Sequence, residues 1–437
     1  MGSRTTLCVA SGFDAPQFIR DWPSDPHVKM GDLGAEPALP EIAQQLKDMI
    51  HTFGKEVMRP VGQQLDKMTA AEVIAPGSPF WATWKAYHEL GINIETLGAI
   101  APEDAPVAVS VLFEEMGWAD AGFAISFGAG ILPFWMAAKF GNTFVLDKYK
   151  DAMIGCWGIT EPDHGTDQLD VTGHIFATGG RYGRPNCTAR ITDGKVIING
   201  QKSAWGSNGT VAELMVLYCG IQSDSGFKPS EGVCVVVPLD HPGVSRGRPL
   251  DKLGQRALPQ GEVFFDNVEV DIDHLLAGPE DYKRAVYAIH TDCNALMGSI
   301  FTGTARAAYE IAYNYAHERR QGGVPIIKHQ DVQRRLFHMA RRVELARAMA
   351  RRAHQYNAQV PVPALQSAMF SKITATQTAF DVASDAIQML GGNGVTNEYP
   401  IEKIFRDARS SMIEDGCNEM LAIKGGVLLS DPELLAS

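Results

Sequence analysis

Apolar residues recur at intervals of three and four in the stretch that begins at Glu41: Ile42, Leu46, Met49, Ile50, Phe53 and Val57. That spacing lays one apolar stripe along an α-helix, and Pro60 predicts where the helix stops. The segments FWATWKAYHEL and APVAVSVLFEEMGWADAGFAISFGAGILPFWMAAKFG also read as helix, the second rich enough in small and apolar residues to be buried. Then the period changes. Between about 153 and 272, short β-branched runs such as ARITDGKVIINGQK, ELMVLYCGI, GVCVVVPL and GEVFFDNVEV are punctuated by Gly and Asn, which predicts strands. Within them ITDGKVII places Asp-Gly between two β-rich arms, a hairpin signal because the turn needs positive φ. Beyond about 280 helical spacing returns. Val332, Leu336, Met339, Val343, Ala346 and Ala350 run down one side, with Arg334, Arg335, Arg341, Arg342 and Arg352 on a solvated or inter-subunit face. A further helix, ATQTAFDVASDAIQML, runs into the turn GGNG.

The predicted fold is α+β and multidomain: a leader over 1–40, an all-α domain over 41–152, a β-barrel over 153–275 and a four-helix bundle over 276–437. The leader, rich in Pro, Gly and Asp, carries no helical period. A chain of 437 residues exceeds the usual single core and can bury a cofactor. With 51 acidic against 39 basic residues, the net charge of −12 argues against nucleic acid as the main partner. No apolar run of transmembrane length and no secretory signal is read, so a cytoplasmic protein without a membrane partner is expected. The seven cysteines form no CxxC pair and no zinc-like cluster, which predicts reduced thiols and no metal.

Candidate chemistry lies in four short segments, each with a plainer reading beside it. GITEPDHGTDQLD gathers hydroxyls, acids and backbone NH groups suited to a polar ligand, or is an ordinary turn. NGQKSAWGSNGT sets Trp205 two residues before Ser207, a flat ring beside a hydroxyl that suits a flat heterocycle, or a core tryptophan near a turn. QMLGGNG allows close backbone approach to a phosphate or sugar, or is a glycine C-cap. In RDARSSMIEDGCNEML the adjacent acids Glu414 and Asp415 point about 100° apart on a helix, so at most one faces any pocket.

Taken in order, these segments resemble the acyl-CoA dehydrogenases, over roughly residues 41 to 430. TEPDHGTD is similar to the family's flavin and substrate loop, INGQK with WGSN to its flavin-stacking strand, FFDNVEVDIDHLL to the end of its β-domain, and QMLGGNGVTNEYPIEKIFRDAR to its C-terminal bundle. The resemblance implies FAD held between subunits of a homotetramer, a dimer of dimers, with an acyl-CoA substrate and an electron-transfer flavoprotein as acceptor. It places Trp157, Ile159 and Thr160 along the flavin ring, Trp205 against it and Ser207 near N5. Arg319, with His329 and Gln330, would reach a neighbour's FAD, which the backbone of Gln388, Gly391 and Gly392 would also meet. Cys417 and Glu419 join the cofactor set. His164, Thr166, Asp292, Asn294 and Gly416 form the substrate set.

Counted from RDAR without a gap, the family's catalytic glutamate falls on Asp415 and the aromatic before it on Glu414. The resemblance thus implies Asp415 as the base for α,β-dehydrogenation, with Glu414 as the alternative. Aspartate is one methylene shorter, which points to a branched, cyclic or aromatic acyl group. Asn294 stands where the family's arginine would, and Gly322 where an aromatic commonly touches the neighbouring flavin; Cys293, from which position some relatives supply their base, reads as packing. A nitroalkane-oxidase-like enzyme also uses aspartate as base, but its following arginine is missing from Asn418–Ala422. A flavin-free assembly protein and a flavin monooxygenase complete the alternatives.

Overall fold

The computed structural model describes residues 36–149, 153–170, 183–222 and 227–431. The chain divides into Met1–Ala38, which leaves the expected leader almost wholly outside the described residues, and Leu39–Ser437, to which everything below refers.

The first helix runs through Pro60 instead of stopping there. Helix α1 (Glu41–Phe53) passes through one π-helical stretch, Gly54–Met58, into α2 (Arg59–Leu65), with Pro60 in the opening turn. The π stretch shifts the hydrogen-bond register, which accommodates a residue without an N–H. Short helices α3 (Ala70–Val73), α4 (Pro79–Glu89) and α5 (Ile94–Gly98) follow.

The long apolar segment is two helices, α6 (Ala105–Ala119) and α7 (Ala121–Lys139), divided at Asp120. Asp120 has extended backbone and its Oδ1 accepts from Phe123 N at 2.9 Å, an N-cap that starts the second helix afresh. Contrary to the sequence reading, α7 is long and apolar enough to cross a membrane. It is nevertheless 83% buried inside the protein, as a core helix is. Helix α8 (Thr143–Lys148) completes this part.

Among the described residues, eight strands build the middle domain: β1 (Gly155–Gly158), β2 (Cys187–Thr192), β3 (Lys195–Lys202), β4 (Leu214–Ile221), β5 (Gly232–Pro238), β6 (Val244–Arg246), β7 (Val263–Asp271) and β8 (Leu275–Ala277). They form one sheet in the order β6-β7-β3-β2-β4-β5-β8, with β1 parallel on β4. The predicted hairpin is β2–β3, paired from Thr192↔Lys195. Asp193 and Gly194 turn it at φ 49° and 73°, the positive values that a two-residue turn matching strand twist requires.

Helix α9 (Tyr282–Glu318) is the spine of the C-terminal part. It packs with α10 (Gln330–Gln359), α11 (Leu365–Leu390) and α12 (Ile401–Ser411), and α13 (Asn418–Ser430) packs on α11. The predicted apolar face of α10 is inward at Leu336, Met339, Val343, Ala346 and Ala350. Of the predicted outer arginines, Arg334 pairs with Asp331, and Arg335 and Arg342 with Asp385 of α11.

Two further arginines of α10 are buried, which helical spacing alone does not reveal. Arg347 and Arg351 reach Glu114 of α6 at 3.1 and 2.6 Å, and Arg306 of α9 bridges Glu114 and Glu115 at 3.0 and 2.7 Å. Burial alone would raise the Glu114 carboxyl, yet Arg347, Arg351 and Arg306 hold it down to about 2. Where α6 and α9 cross, a Cβ on Gly117 would lie 1.9 Å from the Ile300 carbonyl, and one on Gly303 1.9 Å from that of Glu114. Only glycine permits that approach. Because removing one partner strands buried charge, Glu114→Gln is expected to cost about 3–5 kcal/mol. A lowered urea midpoint would show this; an unchanged midpoint would exclude the cluster as a clamp.

Candidate active site

The C-terminal acids do not lie on a helix. After α12 the chain turns through Asp415 at φ 50° and Gly416 at φ 88°, and α13 begins after Cys417 as its N-cap. Two consecutive left-handed residues are costly unless the surroundings fix them. Here Lys372 of α11, wholly buried, donates to the Gly416 carbonyl at 2.7 Å and to Asn418 Oδ1 at 2.8 Å. A Cβ on Gly416 would come within 2.6 Å of Leu169. From α9, Asn294 Nδ2 donates to the Asp415 carbonyl at 3.3 Å.

The turn separates the two acids. Gln255, itself at φ 52°, donates from Nε2 to Glu414 Oε1 at 2.6 Å and to the Asp407 carbonyl at 3.1 Å. Among the described residues the Asp415 carboxylate accepts no hydrogen bond, and its N–H finds no acceptor. Burial pushes Asp415 up to about 6 against the pull of Lys372. Burial, then the Asp415 charge, pushes Glu414 up to about 7.

Asn294 Nδ2 also donates to the His290 carbonyl one turn back on α9, at 2.9 Å. The His290 ring meets Trp157 of β1 edge-on, with centroids 5.4 Å apart. These contacts connect the β-domain to the acid turn through Trp157, His290, Asn294 and Asp415. Burial, then the nearby Lys424 ammonium, pushes His290 down to about 3.

On the β side, Lys202 donates to Glu161 Oε1 at 2.6 Å and to the Ile159 carbonyl at 2.9 Å, fixing the loop after β1. Asn208 donates to the Ser126 and Gly155 carbonyls and accepts from Ser126 Oγ, pinning the turn that carries Trp205 and Ser207. Trp205 is 59% exposed, while Trp157 Nε1 and Ser203 Oγ are buried with no partner among the described residues. An exposed aromatic face beside orphaned polar atoms suits a flat, polar heterocycle.

At the far end of the bundle, Tyr315 Oη donates to the Leu390 carbonyl at 3.4 Å and Asn393 Nδ2 donates to Tyr315 Oη at 3.1 Å. This brings the end of α9, with exposed Arg319, beside Gln388, Gly391 and Gly392. Gly391 sits at φ 62°, and a Cβ there or on Gly392 would meet nothing within 4 Å. A guanidinium beside open backbone suits a phosphate.

The family model described as Acyl-CoA dehydrogenase, middle domain, matches residues 156–268, and that described as Acyl-CoA dehydrogenase, C-terminal domain, matches residues 295–424. The chain belongs to the acyl-CoA dehydrogenase family. Benzylmalonyl-CoA dehydrogenase of Aromatoleum aromaticum is 30% identical over 68% of this chain and 76% of its own. The mitochondrial short-chain specific acyl-CoA dehydrogenase of Rattus norvegicus is 29% identical over 90% and 91%. The fold is that of butyryl-CoA dehydrogenase from Megasphaera elsdenii, at a TM-score of 0.77 and 24% identity, covering 90% of this chain and all of that one. The chain is thus an FAD-dependent oxidoreductase of a family that acts on acyl-CoA.

The residues singled out by resemblance fall into distinct groups. Trp157, Ile159, Thr160, Trp205 and Ser207 gather on the β-domain, and Asn294, Asp415 and Gly416 on the bundle opposite. Arg319, Gln388, Gly391 and Gly392 gather at the far end, and exposed His329 caps α10 just before Gln330, its Nε2 donating to the Gln321 carbonyl at 3.1 Å. Glu419 is exposed in the first turn of α13. Asp292 accepts from Trp135 and Lys139 and so joins α9 to α7. His164 differs from the expected mouth group. It is 4% exposed and sits between Asp167 and the Arg184 carbonyl, beside Thr166, because the short helix starting there folds the loop over it. Cys293 is buried and pushed well up, by burial and then by Asp415, as a packing thiol is. Lys202, Asn208, Gln255, His290 and Lys372 were missed. Lone polar residues within apolar runs are the signal that could have flagged the last two.

Asp415 and Glu414 hold their protons more tightly folded than unfolded, so stability should fall as pH rises from about 4 to about 7. Asp415→Asn is expected to flatten that slope and to add on the order of 1–3 kcal/mol at pH 8. Denaturation at pH 4 and pH 8 checks this, and an unchanged slope would count against a desolvated Asp415.

Proposed function

We propose that this chain catalyses the α,β-dehydrogenation of an acyl-CoA whose acyl group is branched, cyclic or aromatic, with Asp415 as the base. The observation that carries it is a half-buried carboxylate free of hydrogen bonds among the described residues, on a turn fixed by Lys372 and Asn294, next to the face formed by His290 and Trp157. Desolvation places Asp415 near neutrality, where a base is both ionised and strong enough to take a proton α to a thioester carbonyl. Its own free N–H donates to that carbonyl as charge develops on the oxygen. Glu414, held by Gln255, is the less available of the two acids. FAD, when bound, supplies the acceptor for the hydride that leaves the β-carbon.

Trp205, Thr160 and Ser207 would hold the flavin ring, with Trp157 and Ile159 at its edge. About 25 residues of α9 separate Asn294 from Arg319, roughly 37 Å along a helix. A cofactor whose ring lies at Trp157 therefore takes its phosphate partner, Arg319, from a second copy of the chain, which supports a homo-oligomer, expected to be a dimer of dimers. The short base, with Trp157 against His290 beside the acid turn, supports a bulky acyl group. The relative named for benzylmalonyl-CoA points the same way. An electron-transfer flavoprotein is the acceptor that this reading names.

Anaerobic visible titration with straight, branched, cyclic and aromatic acyl-CoAs tests the reading. Bleaching by one bulky class is expected. Bleaching by nitroethane alone would make Asp415 the base of an oxidase instead. Asp415→Ala should keep FAD and lose about a hundredfold or more in flavin reduction, against a few-fold for Glu414→Ala. In the wild type kcat/KM should rise with pH and level off above about 6. Arg319→Ala should lower retained FAD, read as the flavin-to-protein absorbance ratio.

A further inference from the structure

Two acceptors on one turn of α9, beside the acid turn, have no donor among the described residues. Asn294 is completely buried, and its amide orientation is fixed by chemistry: Nδ2 faces the carbonyls of His290 and Asp415, where an oxygen could not bond. Its Oδ1 is consequently the free end of the amide, buried and without a partner among the described residues. His290, 3% exposed, lies one turn earlier on the same face. Its Nδ1 lies 2.8 Å from the Val286 carbonyl, which can only accept, so Nδ1 carries the proton and Nε2 presents a lone pair. No described donor reaches that lone pair.

We propose that the acyl group oxidised by this enzyme carries a neutral hydrogen-bond donor, a hydroxyl or an amide N–H, received by Asn294 Oδ1 and His290 Nε2. The inference rests on Asp415 as the base and names the substrate class for that same site. A buried acceptor left empty is costly, so a substrate that fills it gains what its deoxy analogue forfeits. An anionic acyl group does not fit. It would meet two lone pairs beside a carboxylate, and each nearby ammonium group already has an acceptor of its own. Lys372 donates to Gly416 and Asn418, Lys424 to the Leu169 carbonyl and Lys139 to Asp292. The charges facing this corner are Asp415 and Glu414 from the turn, Glu419 from α13, Lys372 from α11 and Lys424 from α13. Lys424 reinforces the neutral state of His290, since its charge opposes a second proton.

The test compares matched thioesters on the FAD-loaded enzyme: cyclohexanecarboxyl-CoA, its 3- and 4-hydroxy forms, and the 4-carboxy form. Flavin bleaching rates and the Kd from the flavin spectral shift are read for wild type, Asn294→Leu and His290→Phe. One hydroxy form is expected to exceed the parent by about a hundredfold or more in kcat/KM, the margin that a site built for a hydroxyl enforces. Asn294→Leu and His290→Phe should each bring the hydroxy-to-parent ratio, read within each variant, most of the way to one, whatever either does to the parent rate. Equal rates for parent and hydroxy forms, or a preference for the carboxy form, would overturn the inference and leave the dehydrogenase reading intact. The wild-type ratio decides this even if the variants fail to fold. Absence of bleaching by every thioester would overturn both.

Discussion

The clamp on α9 is the interaction on which the rest depends. At one point the helix lies backbone to backbone against α6, because Gly117 and Gly303 leave no side chain between them. Beside that crossing, Glu114 and Glu115 are buried against Arg306, Arg347 and Arg351. A buried ion cluster of this kind adds little net stability over an apolar core, but breaking it is costly, so it favours one register of α6, α9 and α10. With that register set, Asn294 and His290 face the acid turn and Arg319 ends at the far pole.

A second constraint is local. The Asp415–Gly416 turn holds two left-handed residues, a conformation that the chain would not keep unaided. Lys372 and Asn294 secure its carbonyls from two different helices. The same packing that removes water around Asp415 raises its proton affinity, so stability and chemical readiness draw on one source and oppose each other. An ionised Asp415 burdens the fold, and its proposed role as base draws on that burden.

Much of the architecture was legible because it rests on period and turn chemistry. The hairpin at Asp193–Gly194 followed from its turn residues and the inward face of α10 from spacing. Pro60 misled because a π stretch absorbs it, and the apolar segment misled because Asp120 acts as a cap inside it. In both, one local signal was overridden by another, a register shift in the first and a cap in the second. The acid pair was legible only as a position. Adjacent acids were expected to diverge by helical geometry, whereas a left-handed turn and Gln255 part them.

The sequence by itself determined the order of helical, β and helical regions, the membership of a family and which residues could carry chemistry, since these depend on residue type and on neighbours along the chain. Only the tertiary structure decided which acid lies free, which histidine braces a loop and which faces the site, and which lysines and arginines are buried. Those outcomes depend on burial and on partners far away in sequence, such as Lys372 with Gly416 and Asn294 with Asp415. A carboxylate becomes a base through what surrounds it, and its own stretch of chain does not encode those surroundings.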